Sequence, residues 1–321
     1  MAPPRRPAPV ATRASRDARQ STVEALATAR VIGAHGRHCV IEAEDGRQLL
    51  AHPRGKKSEV VVGDQVQWAP AGDEAVIEAV VERRSLLKRQ DDWKTKNFAA
   101  NLDLLLVMVA TDPPFSESQL ARALIAAKDA GIEALILLNK VDLPQADAAR
   151  ERLRPYRDMG YPLLEIAAKA TPEATRAQVH PLLGGRTTLV LGPSGMGKST
   201  LINLIVPQAD AQVGEISQAL RAGRHTTTTT TWYWLDDAHQ SALIDSPGFQ
   251  EFGLRHIESR ALAGLMPDLA AHLGGCRFAN CTHRHEPGCG VRSAIERGQV
   301  SPSRVRIYEE LMDELERPAP Y

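Results

Sequence analysis

From residue 102 onward the chain alternates short, almost wholly apolar runs with amphipathic stretches. LDLLLVMVA, IEALILL, YPLLEIA, TTLVL and SALI each have the length of one buried strand, and residues 116–130 carry apolar positions at helical spacing. Unbroken apolar runs point to strands covered on both faces, so the pattern predicts an α/β domain with a mostly parallel sheet over residues 102–265. Residues 29–89 read differently. Segments such as RVIGAHGRHCVIEAE, RQLLAHP and AVIEAVVE are separated by Asp45-Gly46 and Gly72-Asp73, and Gln65, Val66, Gln67 and Trp68 alternate with period two. Short, evenly punctuated strands predict a small closed β-barrel. Residues 90–101 are polar and read as a linker. Residues 266–321 form a separate C-terminal module ending in an amphipathic helix, with Ser301 or Ser303 as its cap. Residues 1–28, rich in Pro, Ala and Arg, cannot bury a core and read as a disordered basic tail.

At 321 residues the chain can bury two or three cores. Lys plus Arg and Asp plus Glu both number 39, so the formal net charge is zero and a globally basic polyanion binder is excluded. Contact with RNA would need local patches. Lys56, Lys57, Arg83, Arg84, Lys88 and Arg89 are candidates in the first half, and Arg277, Arg284, Arg292 and Arg297 near the C-terminus. No apolar run reaches the roughly 18 residues of a membrane helix, and the N-terminus has no apolar signal core. The expected location is the cytoplasm, with no membrane partner.

The sharpest chemistry lies in residues 192–200, GPSGMGKST, between the strand-like TTLVL and the helix-like KSTLINLI. Gly192, Gly197, Lys198 and Ser199 fit the phosphate-loop pattern, and the strand–loop–helix setting is the one that pattern requires. Successive backbone N–H groups of Gly192, Pro193, Ser194, Gly195, Met196, Gly197, Lys198, Ser199 and Thr200, Pro193 excepted, can face phosphate oxygens at the positive end of a helix. Lys198 should reach the β- and γ-phosphates and Ser199 should hold Mg²⁺. Asn139-Lys140-Val141-Asp142 follows IEALILL, at the carboxyl end of a strand where open α/β sheets bind ligands. Asp142 can accept from both N–H groups on guanine's Watson–Crick edge, Asn139 can bond the other side of the base, and the stem of Lys140 can cover its face. The pair argues for GTP over ATP.

Asp245-Ser246-Pro247-Gly248 follows the strand SALI. Asp245 would hold a water on Mg²⁺ and the Gly248 N–H would sense the γ-phosphate. Between the two motifs lies RAGRHTTTTTT, where one of residues 226–231 should complete the Mg²⁺ shell. Phe249 stands where many GTPases carry the glutamine that orients the attacking water, and His225 is the nearest titratable candidate for that catalytic task.

Cys276-x4-Cys281-x-His283-x5-Cys289 gathers three of the four cysteines and a histidine into one short segment. Three thiolates and one imidazole complete a tetrahedral shell, so a closed, structural zinc site is expected, with His285 and His272 as rival ligands. Cys39 is isolated and reads as a small apolar side chain.

In most GTPases the phosphate loop precedes the guanine tetrad; here the order is rotated. N-K-x-D, then G-x-x-x-x-G-K-[ST], then G-R-H-T-T-T, then D-x-P-G resembles the circularly permuted GTPases, and specifically the ribosome small-subunit-dependent GTPase A family, over residues 29–317. The resemblance implies that the barrel is an OB-fold, that the GTPase is permuted, and that the C-terminal module holds one zinc ion per chain. It further implies a monomer that binds rRNA and whose GTP hydrolysis to GDP the small ribosomal subunit stimulates, late in that subunit's maturation. A GTP-binding rRNA scaffold with little hydrolysis is the alternative, because the glutamine is missing.

Overall fold

A computed structural model describes residues 26–35, 38–55, 59–90, 95–207, 209, 230–246 and 253–317. The expected tail, apart from residues 26–28, lies outside the described residues.

The first five strands are β1 (Ala27–His35), β2 (His38–Ala43), β3 (Gln48–Pro53), β4 (Gln65–Ala71) and β5 (Glu74–Val80). They close in the order β1–β2–β3–β5–β4–β1, with β3 and β5 parallel and the other pairs antiparallel. The period-two alternation explains the closure: in β4 Val66 and Trp68 point inward while Gln65 and Gln67 face out. Val31, Ile41, Ala51, Ala75 and Ile77 fill the rest of the barrel. A register shift between Val31 and Gly33 bends β1, so that its first half pairs with β4 and its end reaches the next domain.

The expected linker at residues 90–101 is instead largely structured. Strand β6 (Leu86–Gln90) pairs antiparallel with β7 (Thr95–Ala100). Polarity at its start concealed the buried Phe98, Ala99 and Ala100 at its end. The hairpin is locked to the barrel where the Ala100 N–H donates to Val62 O at 3.0 Å. Gly63, at φ +91°, lets Ala100 O approach so closely that a Cβ there would meet it at 2.1 Å.

The α/β sheet comprises β8 (Leu104–Ala110), β9 (Glu133–Asn139), β10 (Leu163–Glu165), β11 (Thr187–Leu191), β12 (Thr230–Trp234) and β13 (Ala242–Asp245), in the order β10–β9–β8–β11–β13–β12. All neighbours are parallel except β12 with β13. The buried run of β8 divides between the two faces as strand geometry demands. Leu105, Val107 and Val109 pack beneath α1 (Glu117–Asp129) and α2 (Ala146–Asp158), whereas Leu104, Leu106 and Met108 pack beneath α3 (Pro172–Leu183) and α4 (Lys198–Ile205). β12 also pairs with β1, Gly33 opposite Thr231, which joins barrel and nucleotide domain into one sheet of eleven strands.

The C-terminal module holds α5 (Ser259–Leu265), α6 (Pro267–Ala270), α7 (Gly290–Glu296) and α8 (Pro302–Glu316), with Ser301 as the N-cap residue of α8. Helix α8 turns Ile307, Tyr308, Leu311 and Met312 inward and packs on α1 and α5, so the module shares a core with the sheet's α1 face. Arg304, 2% exposed, grips Asp268 through two bonds of 2.8 and 3.1 Å. Breaking such a buried pair from one side costs about 3–5 kcal/mol.

Candidate nucleotide site and metal centre

Strand β11 ends at Leu191 and the chain turns through residues 192–197 into α4, whose first residue is Lys198. Gly195 at φ +83° and Gly197 at φ +101° permit that turn. Gly192 and Gly197 are also points of close approach. A Cβ on Gly192 would lie 2.4 Å from Met108 O, and one on Gly197 2.4 Å from Asn139 Nδ2. An open cavity of about 480 Å³ is lined by Ser194, Gly195, Gly197, Lys198, Ser199 and Thr200, together with Lys140, Asp245 and Ser246. The first N–H groups of α4 have no partner within the helix, which makes this end of the cavity receptive to anions.

Lys198 is buried, and its ammonium donates to Gly192 O at 2.6 Å and Pro193 O at 3.1 Å. Burial lowers its pKa, while Asp245 acts in the opposite sense. Burial raises the Asp245 carboxyl to about 6, with Lys198 opposing. Both groups line the same cavity, and burial is the main cause of each shift. Ser246 Oγ donates to Val190 O at 2.8 Å and fixes the end of β13 beside β11. Ser199 is an exposed residue of the cavity lining and the first turn of its helix carries no acid, so Asp245 is the lining carboxyl available to a Mg²⁺ bound there.

The guanine tetrad sits at the end of β9. Asn139 is 3% exposed and makes two backbone bonds: Nδ2 donates to Met196 O at 2.9 Å, and Oδ1 accepts from the Ala168 N–H at 3.1 Å. Its amide bolts the phosphate loop to the loop after β10. Lys140 is left-handed at φ 63°, and its Nζ donates to Asp112 O at 2.5 Å and Gly195 O at 2.9 Å. Thr111 Oγ1 holds this turn by donating to Lys140 O at 2.8 Å. Asp142 is exposed and lines a second cavity, of about 330 Å³, with Val141, Ala167, Thr171 and Thr175.

At the far end of the molecule Cys276, Cys281, His283 and Cys289 bring their donor atoms within 4.8 Å of one another. Cys276 Sγ and Cys289 Sγ are 3.9 Å apart and each is 3.4 Å from His283 Nδ1. A tetrahedral zinc ion has S···S edges of about 3.8 Å and S···N edges of about 3.5 Å, given its bond lengths. The donor set fits zinc in number, type and spacing. His272 and His285 are not members of this cluster.

Residues 80–255 match the family model described as RsgA GTPase. The small ribosomal subunit biogenesis GTPase RsgA of Variovorax paradoxus (strain S110) is 57% identical over 290 residues, covering 89% of this chain and 91% of that protein. The RsgA of Burkholderia pseudomallei (strain K96243) is 51% identical over 90% of this chain and 92% of its own. This chain belongs to the RsgA GTPase family. Among solved structures, YjeQ from Thermotoga maritima matches with a TM-score of 0.69 and 27% identity, over 91% of this chain and 99% of that one. YloQ, a circularly permuted GTPase, matches with a TM-score of 0.66 and 25% identity, over 95% and 100%. The chain is thus a GTP-hydrolysing enzyme whose rotated motif order is a property of its family, with an N-terminal five-stranded barrel.

Lys140, the phosphate loop and Asp245, distant in sequence, share one cavity, while Asp142 lines the second. His225, Gly248, Phe249 and residues 226–229 lie outside the described residues, while Thr230 and Thr231 open β12. Several basic candidates are committed elsewhere. Arg83 clamps the fully buried Asp64 through two bonds of 2.7 and 2.8 Å, and Arg84 pairs with Asp103 at 2.7 Å, so both fasten the barrel–hairpin junction. Arg284 pairs with Asp313 at 2.6 Å on α8. Asp64 and Asp103 stand 19 residues from their partners in opposite directions, which no local motif signals. Thr111, which sets the Lys140 turn, was equally silent. Among the described residues no helix is long and apolar enough to cross a membrane.

Proposed function

We propose that this GTPase acts in the biogenesis of the small ribosomal subunit, late in its maturation, as a monomeric cytoplasmic factor that binds rRNA and is stimulated by that subunit. The names of its relatives support the assignment to the small subunit. The observation that carries the nucleotide reading is Asn139, whose single amide joins the phosphate loop at Met196 to the Ala168 loop. Phosphate and base subsites are thereby held in one register.

In this reading Asp142 accepts from the Watson–Crick edge of guanine, and Asn139 acts as a positioning residue beneath it. The Ala168 N–H is taken by Asn139, which leaves the next N–H, that of Lys169, for the base oxygen. Gly192 to Thr200 cradle the phosphates, with Lys198 released from its loop carbonyls to meet the β- and γ-oxygens. Mg²⁺ bound with GTP would neutralise charge on those oxygens, held by Ser199, with Asp245 on one of its waters. Gly248 would sense the γ-phosphate and His225 would orient the attacking water. Cys276, Cys281, His283 and Cys289 would hold zinc as a closed structural centre.

The test is GTP turnover by wild type and Lys198→Ala, alone and with small or large subunits. Stimulation by small subunits only, lost in Lys198→Ala, is the expected result. Tight GTP and subunit binding without stimulated turnover would replace this reading with that of a GTP-bound rRNA scaffold.

A further inference from the structure

Four large apolar side chains are exposed among the described residues, Leu26, Val80, Leu182 and Phe278, and only Phe278 is aromatic. Phe278 is 40% exposed and sits between Cys276 and Cys281, in a run of residues 277–280 that is exposed throughout. The loop is nevertheless well fixed. The Arg277 N–H donates to Gly288 O at 2.9 Å, and the Cys281 N–H donates to Phe278 O at 3.2 Å. Cys281 and Cys289, at the base of the loop, are buried among α7 and α8. The Arg277 guanidinium lies 5.5 Å from the centre of the Phe278 ring.

An aromatic ring has only two side-chain torsions, so on a loop whose backbone is already fixed it binds a partner with little further loss of conformational entropy. The neighbours of the ring define that partner. Arg277 and Asn280 flank it with a cation and an amide, and no second large apolar side chain accompanies it on this exposed loop. An apolar protein pocket would match that surround poorly. An unpaired nucleotide matches it well, because its base stacks on an aromatic or guanidinium plane while its phosphate meets the cation. Bases within an A-form duplex offer no free face.

We propose that Phe278 is a stacking platform for one unpaired RNA base, with Arg277 contacting the adjoining phosphate. This deepens and rests on the small-subunit reading above, since the RNA is that subunit's. It places sequence-tolerant recognition of single-stranded RNA on the metal-centred loop, and assigns Arg277 and Phe278 distinct tasks.

The experiment compares full-length wild type with Phe278→Ala, Phe278→Leu, Phe278→Trp and Arg277→Ala. Zinc content and basal GTP turnover are measured first. Affinity is then measured for purified small subunits, for a short single-stranded RNA of mixed sequence and for a duplex of equal length. Phe278→Ala and Phe278→Leu are expected to weaken subunit and single-strand binding by about 5- to 100-fold, and Phe278→Trp to retain it. The salt dependence should be unchanged in the Phe278 variants and shallower by about one ion in Arg277→Ala. If Phe278→Ala loses zinc, the Leu and Trp variants decide, because both fill the site. Wild-type affinity in Phe278→Leu would mean an apolar protein pocket and overturn the platform. Unchanged affinity in Phe278→Ala, with wild type still binding small subunits, would also overturn it and leave the small-subunit reading intact. Failure of wild type to bind small subunits at all would remove both.

Discussion

The indole N–H of Trp234 donates to Glu42 Oε1 at 2.6 Å, joining residues 192 positions apart across the seam between the nucleotide domain and the barrel. His239 stacks on the same indole at 4.4 Å with a 5° interplanar angle, and Arg30 of β1 lies 5.3 Å from the centre of the Trp232 ring. These contacts surround the β1–β12 pairing. β12 begins at Thr230, at the end of the threonine run expected to respond to the γ-phosphate. The barrel is therefore attached directly to the strand that continues that segment.

Removing this bond should loosen the seam locally. Glu42→Ala leaves the indole N–H without its acceptor, a loss of about 1.5–3 kcal/mol for a hydrogen bond to a charged group. Trp234→Phe should cost less, because Glu42 still accepts from Gln48 at 3.3 Å. The double variant should be less destabilised than the sum of the two, since both remove one interaction. Amide exchange in the paired residues Gly33, Ala34, Thr230 and Thr231 reads the seam through those N–H groups that point across it. Unchanged protection there in Glu42→Ala would show that the β1–β12 pairing does not depend on the clasp.

Gly197→Ala tests the contact between phosphate loop and guanine tetrad. The new Cβ would lie 2.4 Å from Asn139 Nδ2, and φ is +101°. The clash pushes the Asn139 amide away from Met196 O and the left-handed φ strains the phosphate loop itself, so phosphate and base subsites should fall out of register together. GDP and GTP affinity is expected to drop at least about tenfold, which is about 1.4 kcal/mol. Gly264→Ala is the control: it lies within α5 with nothing within 4 Å of its Cβ, and should bind nucleotide normally with a slightly more stable helix. Equal affinities for the two variants in a fluorescent-nucleotide titration would dissolve the proposed coupling.

Asp245 supplies a pH dependence. Burial raises its carboxyl to about 6, from an ordinary value of 3.8. Only the ionised form can hold a metal-bound water, so protons compete with Mg²⁺. The Mg²⁺-dependent part of GTP affinity should be flat well above pH 6 and fall by about tenfold per unit below it. Asp245→Asn should abolish the slope, and GDP without Mg²⁺ should show none. The sign for stability is opposite. A raised carboxyl favours the ligand-free fold below about pH 3.8, and that contribution is lost as pH rises through about 6. A slope that persists in Asp245→Asn would assign the titration to another group.

Local chemistry was legible in the sequence and long-range clasps were not. The phosphate loop, guanine tetrad and Cys/His cluster are short, and their spacing alone dictates which atoms can converge. The buried runs of β8 and β9 and the alternation in β4 gave sheet and barrel for the same reason. The β6–β7 hairpin was missed because residues 91–97 are mostly polar, and because Ala99 is joined by a bridge to Val62, far away in sequence. Arg83 and Arg84 read as RNA-facing cations because their partners, Asp64 and Asp103, are distant in sequence. Asn139 was read as a base contact; the bolt it forms depends on Met196 and Ala168, brought near only by the folded sheet.

The metal centre and the nucleotide cavity should separate under chelation. None of the residues lining the cavity belongs to the metal-centred segment. Cys281 and Cys289, however, contribute to the core that includes Tyr308 and Leu311 of α8, and Tyr308 OH donates to Thr282 O at 2.8 Å between two metal donors. Loss of a zinc ion held there would leave three thiol groups without the charge and geometry that order them, and in isolated zinc-finger peptides such binding is worth about 10–16 kcal/mol. The loop carrying Phe278 should therefore loosen first. Helix α8 should remain docked through Arg304 on Asp268 and the Arg122 pair with Glu314. A strong chelator is thus expected to release one zinc per chain, weaken small-subunit binding at least as much as Phe278→Ala does, and leave GDP affinity within about twofold of the starting value, since no residue lining the cavity belongs to the metal-centred segment. If GDP affinity fell in step with zinc release, the metal centre would instead be supporting the α1 face of the sheet, and the two sites would have to be treated as one cooperative unit.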